Sequence, residues 1–186
     1  MIKKCYEYGL IEQLRKQPAH LRELARSCCM NQMAVLRSMA YLETQNVVDF
    51  RREGKNKVYF LKNTLEARRY LYLTEHFKLL ACLSKYPRLR PIMQWIEKNK
   101  KIKMAIIFGS YAKGTVHGES DIDLYLETKN RKIKEELSKG DSKLSITLGQ
   151  FQRDTPLGKE IEKYHLIIKG VERYYETIFT QAGATA

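Results

Sequence analysis

The sequence predicts an α/β (α+β) chain in two parts, and three observations carry that prediction. The first third reads as three short amphipathic helices followed by two strands about a glycine turn. The second half alternates apolar strand-like runs with helical patches, the order that builds a mixed sheet with flanking helices. Between them lies one long helical stretch, closed by Pro87.

A length of 186 residues suits one or two small domains. At 44% hydrophobic and 30% charged, the composition excludes a disordered chain. No apolar run approaches the ~18 residues of a membrane-spanning helix, and the first residues, Met1 to Glu7, lack an apolar signal core. The expectation is a cytoplasmic protein with no membrane partner. Cys5, Cys28, Cys29 and Cys82 show no paired metal spacing and read as reduced, packed thiols.

The formal charge of +13 is unevenly spread. Residues 1–65 carry +6, residues 66–100 carry +5 and residues 101–186 only +2. A polyanion, nucleic acid before others, is therefore the expected partner of the N-terminal part.

Taken in order, residues 4–17 form a helix with Leu10, Ile11 and Leu14 on one side, stopped by Pro18. Leu21, Leu24 and Ala25 mark a second helix, with a turn over Ser27 to Met30. A third runs from Asn31 to Thr44, burying Val35, Met39 and Leu42 at i, i+4, i+7. Strands at Val47–Arg52 and Lys57–Leu61 then flank Glu53-Gly54-Lys55-Asn56, a hairpin tip with basic flanks.

Three helices followed by such a hairpin resemble a winged helix-turn-helix domain over residues 1–62. The resemblance implies DNA as a partner, with the third helix in the major groove and the wing on the backbone. Asn31, Gln32, Arg37 and Ser38 are then the residues expected at bases or phosphates, and Arg51, Arg52, Lys55 and Lys57 those at phosphates.

Asn63 and Glu66 have capping-box spacing, so residues 63–87 are read as a connecting helix. Its stripe of Leu73, Phe77 and Leu80 is open to two readings, core packing or the seam of a homodimer. Pro91 opens the next helix, with Ile92, Met93, Trp95 and Ile96 to bury. A strand at 102–108, a short helix at 110–114 and a strand at 121–127 follow. A charged helical patch at 130–139 precedes a third strand, Lys143–Leu148. Helices at 156–164 and 171–179 enclose the apolar run Leu166-Ile167-Ile168, and residues 181–186 read as a frayed tail.

The chemistry concentrates between Phe108 and Leu126. An apolar strand ends abruptly at Gly109-Ser110, and after ten intervening residues Asp121-Ile122-Asp123 opens an alternating strand. Side chains at i and i+2 share a face, so two carboxylates stand together, and a divalent cation is the usual remedy for their repulsion. Gly109 lets a backbone approach a phosphate, and Ser110 and the following amides can hydrogen-bond it.

G-S-Y-A-K-G followed by S-D-I-D resembles the signature of the polymerase-β-like nucleotidyltransferases, their minimal members above all. The resemblance assigns residues 88–180 to a nucleotidyltransferase-fold domain. It implies Mg²⁺ (or Mn²⁺) on Asp121 and Asp123 as catalytic carboxylates, and a nucleoside triphosphate, ATP by expectation, with Gly109 and Ser110 at its phosphates. Lys113 adds positive charge there. The reaction that the resemblance implies is nucleotidylation of a hydroxyl acceptor, on a protein side chain, a small molecule or an RNA end.

The family also places a third carboxylate on a neighbouring strand. The matching strand here presents Lys143, Ser145 and Thr147, and the nearest acids are Asp141 and Asp154. A second reading therefore stands beside the first: a DNA-binding regulator or antitoxin-like protein whose transferase domain binds nucleotide without turnover. His117, on a glycine-flanked loop, reads as solvated, and the other histidines are dispersed.

Overall fold

The computed structural model describes residues 6–118, 120–140 and 143–183, with side chains to residue 180. The chain divides into two units, one ending at Phe77 and one beginning at Lys78. Each is a mixture of helix and sheet.

In the first unit α1 (Tyr6–Lys16) ends just before Pro18 and buries Leu10, Ile11 and Leu14. A two-residue strand β1 (Ala19–His20) follows, then α2 (Leu21–Ser27) and α3 (Gln32–Thr44). α2 starts with a reciprocal cap: the His20 amide donates to the Glu23 carboxylate at 2.8 Å. α3 is capped by Asn31, whose side chain accepts from the Ala34 amide at 2.7 Å. The hairpin is β2 (Val48–Glu53) and β3 (Asn56–Leu61), in register from Val48–Leu61 to Glu53–Asn56. Gly54, at φ +60°, supplies the positive φ its two-residue turn requires. β1 pairs with the far edge of β3, giving the order β1-β3-β2. Val35, Met39 and Leu42 of α3 are buried, as are Val48, Val58 and Tyr59 of the hairpin. Helices capped by a small antiparallel sheet with a protruding hairpin form the winged helix-turn-helix arrangement.

α4 (Leu65–Lys85) is the long helix. Its start differs in detail from the sequence expectation. Thr64, not Asn63, caps it, accepting from the Ala67 amide at 3.2 Å while donating to the Asn46 carbonyl at 2.7 Å. Asn63 instead accepts from Arg68.

In the second unit a short 3-10 turn at Pro87–Leu89 leads into α5 (Arg90–Lys98). Then come β4 (Met104–Ile107), the five-residue α6 (Gly109–Lys113), β5 (Ile122–Glu127), α7 (Lys132–Gly140) and β6 (Leu144–Leu148). α8 (Pro156–Lys163), β7 (Leu166–Lys169) and α9 (Val171–Gly183) complete the unit. The sheet order is β6-β5-β4-β7. β4 is antiparallel to both neighbours, while β5 and β6 are parallel and joined by the α7 crossover. All four residues of β4 are buried, as a central strand covered on both faces demands. The core gathers Leu89 of the 3-10 turn and Met93 and Ile96 of α5 with Ile107, Leu124 and Ile146 of the sheet and Ile133 of α7. Among the described residues no helix is long and apolar enough to cross a membrane.

Candidate active site and the basic hairpin

β4 and β5 are antiparallel, so the end of one and the start of the other lie together. Phe108 donates its amide to the Asp123 carbonyl at 3.0 Å, which brings Gly109 against the opening of β5. Gly109 sits at φ +65°, and a β-carbon built there would run into the Asp123 carboxylate. Both facts demand glycine. Ser110 is the second residue of α6, and its carbonyl accepts from the Thr115 amide at 3.0 Å as the helix closes. Asp121 is exposed just before β5, and Asp123 is half-buried as its second residue.

The loop between them is braced. The His117 amide donates to the Ser120 hydroxyl at 2.8 Å, and Lys143 donates to the Gly118 carbonyl at 2.9 Å. His117 itself is exposed.

The carboxyl of Asp123 is pushed above its usual range. Partial burial is the main cause, and the negative charges of Asp121 and Glu160 add to it. The Ser145 hydroxyl, hydrogen-bonded to it, and Lys113 pull the other way. Parallel pairing sets Ser145 directly beside Asp123, so the strand alignment read from the sequence holds and a hydroxyl stands where a carboxylate was sought. Asp141 lies outside the described residues, and Asp154 is beside Arg153, before α8.

Lys113, exposed, ends α6 in an ion pair with the half-buried Glu160 of α8 at 2.9 Å. Glu160 is the site residue that the sequence reading missed. It lies 47 residues beyond Lys113, and only the folding of α8 brings it near. Among the described residues no group of three or more Asp, Glu, His or Cys is arranged to hold a metal ion. What the site offers is the Asp121–Asp123 pair.

In the N-terminal unit Gln32, Lys55 and Lys57 come together around one hollow, joined by His20 and Arg22. Arg37 is exposed on α3. Asn31 spends its side-chain oxygen on the helix cap, and Ser38 turns toward α1, donating to Glu7 at 3.3 Å. On the hairpin Arg51 pairs with Glu53 at 3.0 Å, Arg52 is exposed, and the Lys57 ammonium lies 3.5 Å over the Phe50 ring.

Residues 91–170 match the polymerase β nucleotidyltransferase family, a span that contains the Gly109 turn, Asp121, Asp123 and Glu160. No curated protein matches the chain. Among solved structures the chain is similar to a homodimeric winged helix-turn-helix DNA-binding domain from Mycobacterium bovis, described as a possible ArsR-family transcriptional regulator. The two are 15% identical, with 46% of this chain and 75% of that one covered at a TM-score of 0.35.

Proposed function

We propose that the C-terminal unit transfers a nucleoside monophosphate from a nucleoside triphosphate, ATP first among candidates, to a hydroxyl acceptor, and that the N-terminal unit binds DNA. The observation that carries the first half is the packing of the Gly109 turn against Asp123, with Asp121 alongside, inside a segment that matches nucleotidyltransferases.

Two adjacent hard carboxylates suit Mg²⁺ or Mn²⁺, which completes its shell with water and phosphate oxygens. Asp121 and Asp123 would hold it, and when bound it supplies positive charge against the departing pyrophosphate. The bare Gly109 backbone admits a phosphate, and the Ser110 hydroxyl donates to it. Lys113 brings a cation that can leave Glu160 for the triphosphate. The acceptor oxygen bonds to the α-phosphorus as the bond to the β-phosphate oxygen breaks, and the pyrophosphate departs in line. With Ser145 beside Asp123, the acceptor proton passes to water, so turnover is expected to be slow.

That same Ser145 favours a second reading, in which the unit binds the triphosphate and transfers nothing. One experiment separates the two. The full chain is incubated with α-labelled ATP, GTP, CTP or UTP, Mg²⁺ and cell extract. Label transferred by wild type and lost in Asp121→Asn and Asp123→Asn supports transfer. Triphosphate bound without transfer supports the second reading, and neither result leaves both without support.

For the N-terminal unit, exposed Gln32 and Arg37 on α3 suit the major groove, and Arg51, Arg52, Lys55 and Lys57 suit phosphates. Replacing Arg51 and Arg52 by alanine is expected to weaken duplex binding across sequences. The salt dependence should flatten by about 1 to 2 in slope. Unchanged affinity would remove the hairpin from the interface.

A further inference from the structure

The C-terminal unit carries its charge at two opposite ends. Asp121 and Asp123 stand where β5 begins, whereas the approach to β4 and the exit of β5 meet at the other end, through the pair Met104–Glu127. Six residues of β5 at ~3.3 Å each put about 20 Å between them.

At that far end Lys100, Lys101 and Lys103, from the approach to β4, share a hollow with Lys129 and Lys132 from beyond β5. A second hollow adjoins it through Thr128 and Lys129 and adds Arg131 and Lys134. All seven cations are exposed. Glu135 is the lone acid lining either hollow, and among the described residues no ion pair engages any of the seven. Glu127, the nearest acid on β5, is taken by Arg173 of α9 at 2.6 and 2.8 Å. The modest net charge of residues 101–186 hides this local excess, because the described acids of that segment, Glu135 apart, line neither hollow.

We infer that this basic end is a second nucleic-acid contact surface, one that takes a phosphodiester backbone on the C-terminal unit itself. Charge density selects the partner. A nucleic-acid strand carries one charge per ~3.4 Å, while an acidic helix presents a given face only once per ~5.4 Å turn. Seven cations crowded on two adjoining hollows match the denser array. A bilayer would ask for an apolar anchor among the cations. The large exposed apolar side chains of the described residues, Met33, Leu36 and Leu73 among them, all lie in other segments. Thr128, Asn130 and Ser138 add neutral hydrogen-bonding groups along the same track.

The test uses the full chain carrying Lys101→Ala, Lys129→Ala and Lys132→Ala, alone and combined with Arg51→Ala and Arg52→Ala. Anisotropy is followed with a labelled single-stranded RNA and a labelled duplex DNA over a range of salt. The lysine variant should bind at least one probe about tenfold more weakly. Its salt slope should fall by about 2 to 3, as three phosphate contacts imply. The loss should add to that of the arginine pair, and the responding probe tells RNA from DNA. Triphosphate binding and melting temperature should not move, since the three side chains are exposed and remote from Asp123. Unchanged affinity and slope for both probes would overturn the inference. So would lysine-dependent binding of phosphatidylserine vesicles without any change toward nucleic acid, or polyglutamate competing as well as RNA at equal charge.

Discussion

Gly109 tolerates nothing larger, because its positive φ and its contact with the Asp123 carboxylate both act against a β-carbon. Gly109→Ala is expected to cost about 1–3 kcal/mol of stability and to weaken triphosphate binding. Urea unfolding and a binding titration together check it. Asp123 behaves in the opposite sense. Its carboxyl sits above the ordinary aspartate value of 3.8 in the fold, so the ionised form is the disfavoured one. The penalty is absent below that value, where the group is protonated folded or unfolded, and is complete above the raised one, at neutral pH. Asp123→Asn should therefore melt slightly higher than wild type at pH 7, by less than the ~4 °C that 1 kcal/mol gives a chain this size, while losing metal-dependent binding. The two should converge at low pH, and a lower melting temperature of the variant at pH 7 would contradict this. Spacing alone placed Gly109, Asp121 and Asp123, since a turn and an i, i+2 pair are local geometry. Ser38 and Asn31 were not so legible, because periodicity does not show which polar groups a fold spends on capping or on a neighbouring helix.

At the scale of elements, α8 decides where Glu160 stands. Thr155 caps it, accepting from the Gly158 amide at 3.0 Å, and a β-carbon on Gly158 would strike the Gln152 and Arg153 carbonyls. Gly158→Ala should displace the helix and break the Lys113–Glu160 pair, whereas Thr155→Ala should cost only about 1 kcal/mol. Crosslinking between cysteines placed at 113 and 160 would report the difference, with equal yields in both variants counting against the role given to α8. The helices and the strands β4, β5 and β6 were readable from apolar periodicity to within a few residues. β7 was visible only as an apolar run, because four residues fit a strand or a buried turn of helix equally well. β1 has two residues and exists only by pairing with β3. Strand order follows from long-range packing, which no local pattern encodes.

Across the whole molecule, net charge by segment pointed to the N-terminal part, and the fold adds a basic end to the C-terminal unit that a sum over residues conceals. The central claim is that Asp121, Asp123 and the Gly109 turn together hold a metal-bound triphosphate. Calorimetric titration of the full chain with a non-hydrolysable ATP analogue, in Mn²⁺ and then in EDTA, tests it most directly. Wild type should bind in Mn²⁺ at least about tenfold more tightly than in EDTA, and the variant carrying both Asp121→Asn and Asp123→Asn should lose that difference. Binding that is equally tight with and without the metal, or unaltered in the double variant, would contradict it.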